Sequence, residues 1–365
     1  MDPLTFVYKR VENLDISFDL YPPLSPYSVV GSQVRVTGIA DIQAVPAVVY
    51  FHGGGMTVGT RKSWFPTWLH RVAFISADYR LMPPATGHEI LSDILSLLNF
   101  VRHSLNPLLS RRSPTATLLQ IDSARIAVVG SSAGGLCSYL AAAHAAPKPK
   151  AVLSMYGLGG SFLTPHYLAP KLKPFFRGRE LLDASSDTFA PFLHPSVRSL
   201  PSTAGSELAY KYRDSMTPAY PANPRMLLAR LYLQQGTFLD YWTGLHAPSL
   251  SETLRTQLED ADRCGSAIPH ESRTLFPELL VSKDWPPTFL VHGELDSAVP
   301  LADSRNMCEL LKGANVDVQL RVVEGQEHSF DYQADADDEG KFKSVFDEAV
   351  DFLIGALHSG VCIIT

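Results

Sequence analysis

The chain has 365 residues, 45% hydrophobic and 19% charged, with a formal net charge of −6. That length fits one large α/β domain with a sizeable insertion, or two domains. Mild acidity and the lack of lysine or arginine clusters argue against nucleic-acid binding and electrostatic attachment to a membrane, both of which need concentrated basic surface.

In chain order, Met1-Asp2-Pro3-Leu4-Thr5 lacks the basic start and apolar core of a secretory signal, so none is expected. Leu4 to Val11 and Leu14 to Tyr21 read as strands, the second ending at Pro22-Pro23. Ala47 to Phe51 is a β-branched and aromatic run that stops at His52-Gly53-Gly54-Gly55, and Val72 to Ala77 is the next strand, ending at Asp78-Tyr79-Arg80-Leu81. From Glu89 to His103 the apolar residues Ile90, Leu91, Ile94, Leu97, Leu98 and Val101 recur at helical spacing. Arg111-Arg112, the densest basic spot, reads as a solvated loop. Ile126 to Val129 is a strand, Leu136 to Ala146 a helix, and Ala151 to Tyr156 another buried strand.

The alternation then fails from about Gly159 to Pro287, a stretch rich in proline and aromatics with helical patches at Pro224 to Gln235 and Ser251 to Ala261. It resumes with a strand at Thr288 to His292, a helix at Ser304 to Lys312, a strand at Val318 to Val323 and an amphipathic helix at Lys341 to Leu357. Continuously apolar strands alternating with helices imply a mostly parallel sheet covered on both faces, an α/β fold. The expected division is a catalytic body over 1–158 and 287–365, with a mainly helical cap inserted over 159–286. No run of about 18 apolar residues suggests a transmembrane helix. Cys137, Cys264, Cys308 and Cys362 lack the spacing of a metal site or redox pair and read as reduced thiols of a cytoplasmic protein. Cys362-Ile363-Ile364-Thr365 fits a prenylation pattern, but threonine is not among the usual final residues and no basic segment precedes it; an apolar tail is expected.

Gly130-Ser131-Ser132-Ala133-Gly134 lies between a strand and a helix, the setting of a nucleophile elbow. Glycines permit the sharp turn, and only Ser132 lies midway between them. A serine hydroxyl needs an adjacent base, and the base needs a carboxylate to fix its tautomer. Asp296 follows the strand Thr288 to His292 in the turn Gly293-Glu294-Leu295-Asp296 and is favoured as the acid, with Glu294 its nearest rival. His328 falls on the loop after the last strand and completes the chain order serine, acid, histidine. His52 precedes the nucleophile, His292 precedes the acid, and His358 lies beyond the last helix. His52-Gly53-Gly54-Gly55 would supply backbone N–H groups for an oxyanion, with Gly54, Gly55 and Ala133 as donors and His52 holding the loop. A phosphate loop is disfavoured because no lysine-serine or lysine-threonine pair follows the glycines.

These features together resemble the hormone-sensitive-lipase-like esterase family of α/β-hydrolases. The resemblance rests on His52-Gly53-Gly54-Gly55, Asp78-Tyr79-Arg80-Leu81 with Pro83, Gly130-Ser131-Ser132-Ala133-Gly134-Gly135, and the positions of Asp296 and His328; it covers roughly 45–160 and 287–357, and fungal members look most similar. Three departures stand out. Ser131 occupies a position where the family commonly has aspartate, Met56 one where an aromatic is usual, and the insertion is longer than in many relatives.

The resemblance implies a carboxylic ester hydrolase that works through an acyl-serine without metal or cofactor. Its substrate would be a small-molecule ester: short-chain, aromatic or a lactone. Aromatics of the insertion would form either an apolar lid or the insertion's own core. Met56, Trp64, Tyr241 and Trp242 are the pocket candidates, with Phe65 and Trp68 near Trp64. An acyltransferase, a peptidase and a non-catalytic ligand receptor on the same fold are the alternatives, and homodimerisation is left open.

Overall fold

The computed structural model describes residues 3–23, 44–63, 69, 72–112, 119–207, 210–211, 220–221, 223–259, 265–332 and 342–359. Trp64, Phe65, Trp68, Cys264 and Cys362 lie outside these residues.

Strands β1 (Leu4–Val11), β2 (Leu14–Tyr21), β3 (Ala44–Phe51), β4 (Ala73–Ala77), β5 (Gln120–Ser131) and β6 (Val152–Met155) precede the insertion, which holds the two-residue strands β7 (Tyr210–Lys211) and β8 (Tyr220–Pro221). Strands β9 (Thr288–Gly293) and β10 (Val318–Val323) follow it. The main sheet runs β1-β2-β4-β3-β5-β6-β9-β10. From β4 to β10 every neighbour is parallel, whereas β1 and β2 form an antiparallel edge. The insertion therefore interrupts the chain but not the sheet: β6 and β9, on either side of it, pair directly.

Alternation along the central strands builds two cores at once. Ala47, Val49, Phe51, Ile126 and Val128 face one apolar layer, and Val48, Tyr50, Ala127 and Val129 face the other. Successive side chains of a strand point to opposite faces, so a continuously apolar strand is what a sheet covered on both sides requires. The first layer is covered by α1 (Gly87–His103), α2 (Leu105–Arg112), α3 (Ala133–His144) and, after β9, by a helix over Leu301–Gly313; the second is covered by the final helix, Lys343–His358.

Helix α1 starts two residues before the expected Glu89, because the Glu89 carboxylate reaches back to the Thr86 N–H at 2.8 Å and closes a capping box. Arg111-Arg112 closes α2 and is not a loop; Pro107 falls in that helix's first turn, where its missing N–H costs nothing. The insertion adds α4 (Pro165–Leu168), α5 (Arg225–Gln235), α6 (Phe238–Thr243) and α7 (Leu250–Arg255). Numbered in sequence, Leu301–Gly313 is α8 and Lys343–His358 is α9. Helix α7 is shorter than the Ser251 to Ala261 patch, since after Arg255 the Gln257 N–H turns back onto the Leu254 carbonyl.

Among the described residues, the insertion shares the core of the sheet's first layer. Phe162, Tyr167, Leu228, Tyr232, Phe238 and Trp242 are buried in the same layer as α1 and α3. Phe162 meets Tyr167, Phe276 and Phe238 at ring-centroid distances of 5.1, 5.7 and 6.1 Å. No helix among the described residues is long and apolar enough to cross a membrane.

Asp93 of α1, fully buried, ties the sheet edge to this layer. It accepts from the Arg80 guanidinium at 2.8 Å on each oxygen, from the Arg80 N–H at 3.0 Å, and from Lys9 at 2.8 Å. Removing one partner of a buried ion pair leaves the other charge uncompensated, at a cost of about 3–5 kcal/mol. Asp93→Ala is accordingly expected to lower unfolding free energy by about that much in urea titration; a loss below about 1 kcal/mol would contradict this account.

Candidate active site

Strand β5 delivers Ser132 into a turn so sharp that its backbone sits at φ 55°, ψ −120°, a sparsely populated region for any side-chain-bearing residue. Hydrogen bonds on both sides hold it there. The Ser132 N–H donates to the Met155 carbonyl at 2.9 Å, and its own carbonyl accepts from Gly135 at 2.9 Å and Leu158 at 3.0 Å. The first turn of α3 is pressed onto the end of β3, where a Cβ on Gly134 would lie 1.9 Å from the Phe51 carbonyl oxygen, so only glycine fits. Ser131, at the position of the expected aspartate, is buried with its hydroxyl 2.8 Å from that of Tyr50.

Three loops from the same end of the sheet converge here. His328 lies 2.9 Å from the Ser132 Oγ through Nε2, and 2.6 Å from the Asp296 Oδ2 through Nδ1. Asp296 is thus the carboxylate brought to the histidine; Glu294 instead accepts from the Gly325 N–H at 3.0 Å and helps tie the two loops together. The other Asp296 oxygen accepts from the Ala298 and Val299 N–H groups, both at 2.9 Å. Burial alone would push the Asp296 carboxyl up. The charge of His328, with hydrogen bonds from His292 and His328, prevails and holds it well below the usual carboxylate range.

His292, which precedes the acid in chain order, meets Asp296 from the strand side. Its Nε2 lies 2.8 Å from the Val299 carbonyl and 3.3 Å from Asp296, while Nδ1 meets the Ser304 hydroxyl at 2.7 Å. With the carbonyl as acceptor, Nε2 carries the proton and turns it toward the acid as well. Its spacing of four residues before Asp296 was the available signal.

The glycine loop lies against the elbow, since a Cβ on Gly53 would be only 3.3 Å from that of Ser132. Gly54 and Gly55 take φ 114° and 61°, and the Gly54 carbonyl closes the loop by accepting from Thr57 and Val58 at 3.0 and 3.1 Å. Ala133 opens α3, so its N–H has no intrahelical acceptor. His52 braces the loop from below: Nδ1 donates to the Gly53 carbonyl at 2.7 Å, and the ring stacks on Tyr79 at 4.4 Å. Burial pushes the His52 imidazole down to about 4, which keeps it neutral. The Asp78-Tyr79-Arg80 motif locks what surrounds this loop. Asp78 binds the Arg61 N–H at 2.6 Å, Tyr79 donates to the His52 carbonyl at 2.7 Å, and Arg80 joins Asp93.

Of the pocket candidates, Met56 is fully buried directly after Gly55, with its carbonyl accepting from Met82 at 2.7 Å. Tyr241 stacks on Tyr232 at 3.7 Å and its hydroxyl accepts from the His194 N–H at 3.1 Å. Trp242 is wholly interior, donating to the Leu275 carbonyl at 3.0 Å and packing on Gly87. The residue that covers Gly55 is Ala229 of α5, which no sequence signal marked: a Cβ on Gly55 would lie 2.3 Å from the Ala229 Cβ.

Such an array can take a proton from the serine hydroxyl and hold negative charge beside it. Family models described as alpha/beta hydrolase fold match residues 48–170 and 115–332. A probable carboxylesterase of Phoma sp. is 27% identical over 339 residues, 89% of this chain and 88% of its own length. A non-reducing polyketide synthase of Aspergillus calidoustus is 28% identical over 316 residues, 80% of this chain. The chain spans only 12% of that synthase's length. Among solved structures, a thermophilic esterase of Thermogutta terrifontis superposes with a TM-score of 0.52 at 18% identity, covering 99% of this chain and 95% of its own. A Staphylococcus aureus protein of unknown function reaches 0.57 at 17% identity, covering 97% of this chain and 99% of its own. At such identities the structural likeness speaks for the fold alone.

Gly55→Ala combines a left-handed backbone with a clash against Ala229, and is expected to slow labelling of Ser132 by a fluorophosphonate about 100-fold, the scale of a lost oxyanion donor. Adding Ala229→Gly removes the clash and should recover part of that loss. Unchanged labelling in the single variant would separate this loop from the serine. The depressed Asp296 carboxyl sets a second expectation. The folded chain binds this proton more weakly than the unfolded chain, so the stabilisation is complete well above about pH 4, the ordinary aspartate value, and disappears as pH falls. Asp296→Asn should therefore lose thermal stability less steeply than the parent between about pH 5 and pH 3; equal slopes would refute the assignment.

Proposed function

We propose that this chain, which belongs to the alpha/beta hydrolase fold family, hydrolyses carboxylic esters through an acyl-serine formed on Ser132. The observation that carries the reading is the continuous line from Ser132 Oγ through His328 to Asp296.

In this mechanism Ser132 Oγ attacks the ester carbonyl while its proton passes to His328 Nε2. Asp296 holds the imidazole in the tautomer with Nδ1 protonated, and stabilises the imidazolium once formed. Negative charge on the former carbonyl oxygen is met by the N–H groups of Gly54, Gly55 and Ala133. The tetrahedral intermediate collapses, and the departing alkoxide takes the proton from His328. Water then enters, gives a proton to the same nitrogen and attacks the acyl-serine; as the Ser132 Oγ–acyl bond breaks, His328 returns that proton to Oγ and the acid is released.

Residues 159–286 serve as the cap over this site. Ala229 is placed to limit the room above the oxyanion loop, so compact acyl groups fit the geometry better than long chains. The carboxylesterase relative supports an ester substrate and the polyketide synthase relatives suggest one of polyketide type; short-chain, aromatic and lactone esters are the classes we propose. Transfer of the acyl group to an alcohol in place of water uses the same steps up to the acyl-serine.

A panel of p-nitrophenyl esters from acetyl to decanoyl, with an aryl lactone, a thioester and an anilide, tests the reading with and without an added alcohol. Turnover is expected on the short and aromatic esters and not on the anilide. Ser132→Ala should reduce it more than about 1,000-fold. A Ser132→Ala variant that keeps most of the turnover would overturn the mechanism; ester products formed with alcohol would assign acyl transfer.

A further inference from the structure

We propose that Arg177, a residue of the insertion, is a positioning residue for His328, on the reading of Ser132 and His328 given above. The loop that carries His328 is anchored on its sheet side, where the Leu295 N–H donates to the Gln326 carbonyl at 2.8 Å and Gly325 donates to Glu294. Beyond His328, the Tyr156 hydroxyl donates to Asp331 at 2.5 Å, and the Tyr156 ring meets the His328 ring edge-on at 4.7 Å. At the turn between these anchors Ser329 takes φ 60°.

The insertion reaches the loop at this turn. The Arg177 guanidinium donates to the main-chain carbonyl of His328, and its Nε lies 3.7 Å from the Glu327 carboxylate. That carboxylate accepts from the N–H of His328 at 2.8 Å. Both main-chain polar groups of His328 therefore belong to one network that ends on Arg177. The Arg177 N–H in turn donates to the Ser297 hydroxyl at 2.8 Å, one residue after Asp296, and His166 donates to the Ala298 carbonyl at 3.1 Å. A single stretch of the insertion, 166–177, thus binds the loop of the acid and the loop of the histidine together.

Arg177 itself sits at φ 52°, followed by Gly178 at φ 63°. A left-handed arginine persists only where its surroundings over-determine it, and here its donors are engaged on two loops. The contribution is to geometry more than to stability. The Arg177 and Glu327 side chains are 34% and 38% exposed, and ion pairs at such exposure add little to folding. Arg225, elsewhere in the insertion, is buried and donates to the carbonyls of Pro83 at 2.6 Å and Thr57 at 3.2 Å.

The test compares Arg177→Ala, Arg177→Lys and Arg177→Met with the parent, reading kcat and KM on the best short ester, the rate of Ser132 labelling by a fluorophosphonate, and the thermal midpoint. Arg177→Ala should lower kcat and labelling rate about 30-fold, with KM within about twofold and the midpoint within about 2 °C. Arg177→Lys, which keeps a charged donor, should recover to within about fivefold of the parent, and Arg177→Met should not. A kcat for Arg177→Ala within twofold of the parent, or equal losses for lysine and methionine, would overturn the proposal. If Arg177→Ala fails to fold, the lysine and methionine pair decides. A parent that cleaves no ester but is labelled at Ser132, with labelling dependent on Arg177, would sink the ester reading and leave the clamp standing; a parent that is not labelled sinks both.

Discussion

Phe51 pairs with Gly130, Ser131 with Met155, Met155 with Val291 and Gly293 with Val323, all in parallel registration across five neighbouring strands. Parallel strands present their carboxyl ends along one edge, and that edge is where open α/β sheets place ligands. Here His52, Ser132, Tyr156, Asp296 and His328 all leave the sheet on the same side, separated by the spacing of hydrogen-bonded strands. A slip of one residue in any of these ladders would reverse the facing of every side chain beyond it. The close approach of Gly134 to the Phe51 carbonyl then removes the remaining freedom of the elbow relative to the glycine loop.

Charge at this edge is managed by burial and pairing. Asp296 keeps its charge in a buried place because donors meet both of its oxygens. His52 loses the ability to charge because burial offers it only a neutral carbonyl partner. His292 is turned so that its proton faces the acid and the Val299 carbonyl together. His328 differs from both, with one nitrogen on a carboxylate and the other on a serine hydroxyl. Similar imidazoles are thus given different chemistry by their partners. Ser131 follows the same pattern: a neutral hydroxyl paired with Tyr50 adds no further buried charge beside Ser132.

The described part of the insertion belongs energetically to the sheet and helices it packs against. Its aromatic residues complete the core over α1 and α3, and Arg225 and Arg177 fasten it at the glycine loop and at the histidine loop. One fastening is buried and the other faces solvent, so the two sides of the site are not held equally.

Much of the fold was legible in local pattern. Apolar runs, glycine-bounded turns and helical periodicity located the strands and long helices, because backbone geometry and two-sided burial impose those patterns on the chain itself. Ser132 was legible for the same reason, since it stands directly after β5 at a turn that few residue types can make, and the loops of Asp296 and His328 follow β9 and β10. Other features had no local signature. The seat of Ala229 on Gly55, the interior packing of Trp242 and the reach of Arg177 all depend on contacts between segments far apart in the chain. The sequence alone determined the strand ends and the chemical groups carried there, since those follow from rules acting over a few residues. Only the tertiary structure decided which groups meet and what closes over them, because parallel registration and the docking of the insertion are long-range packing outcomes.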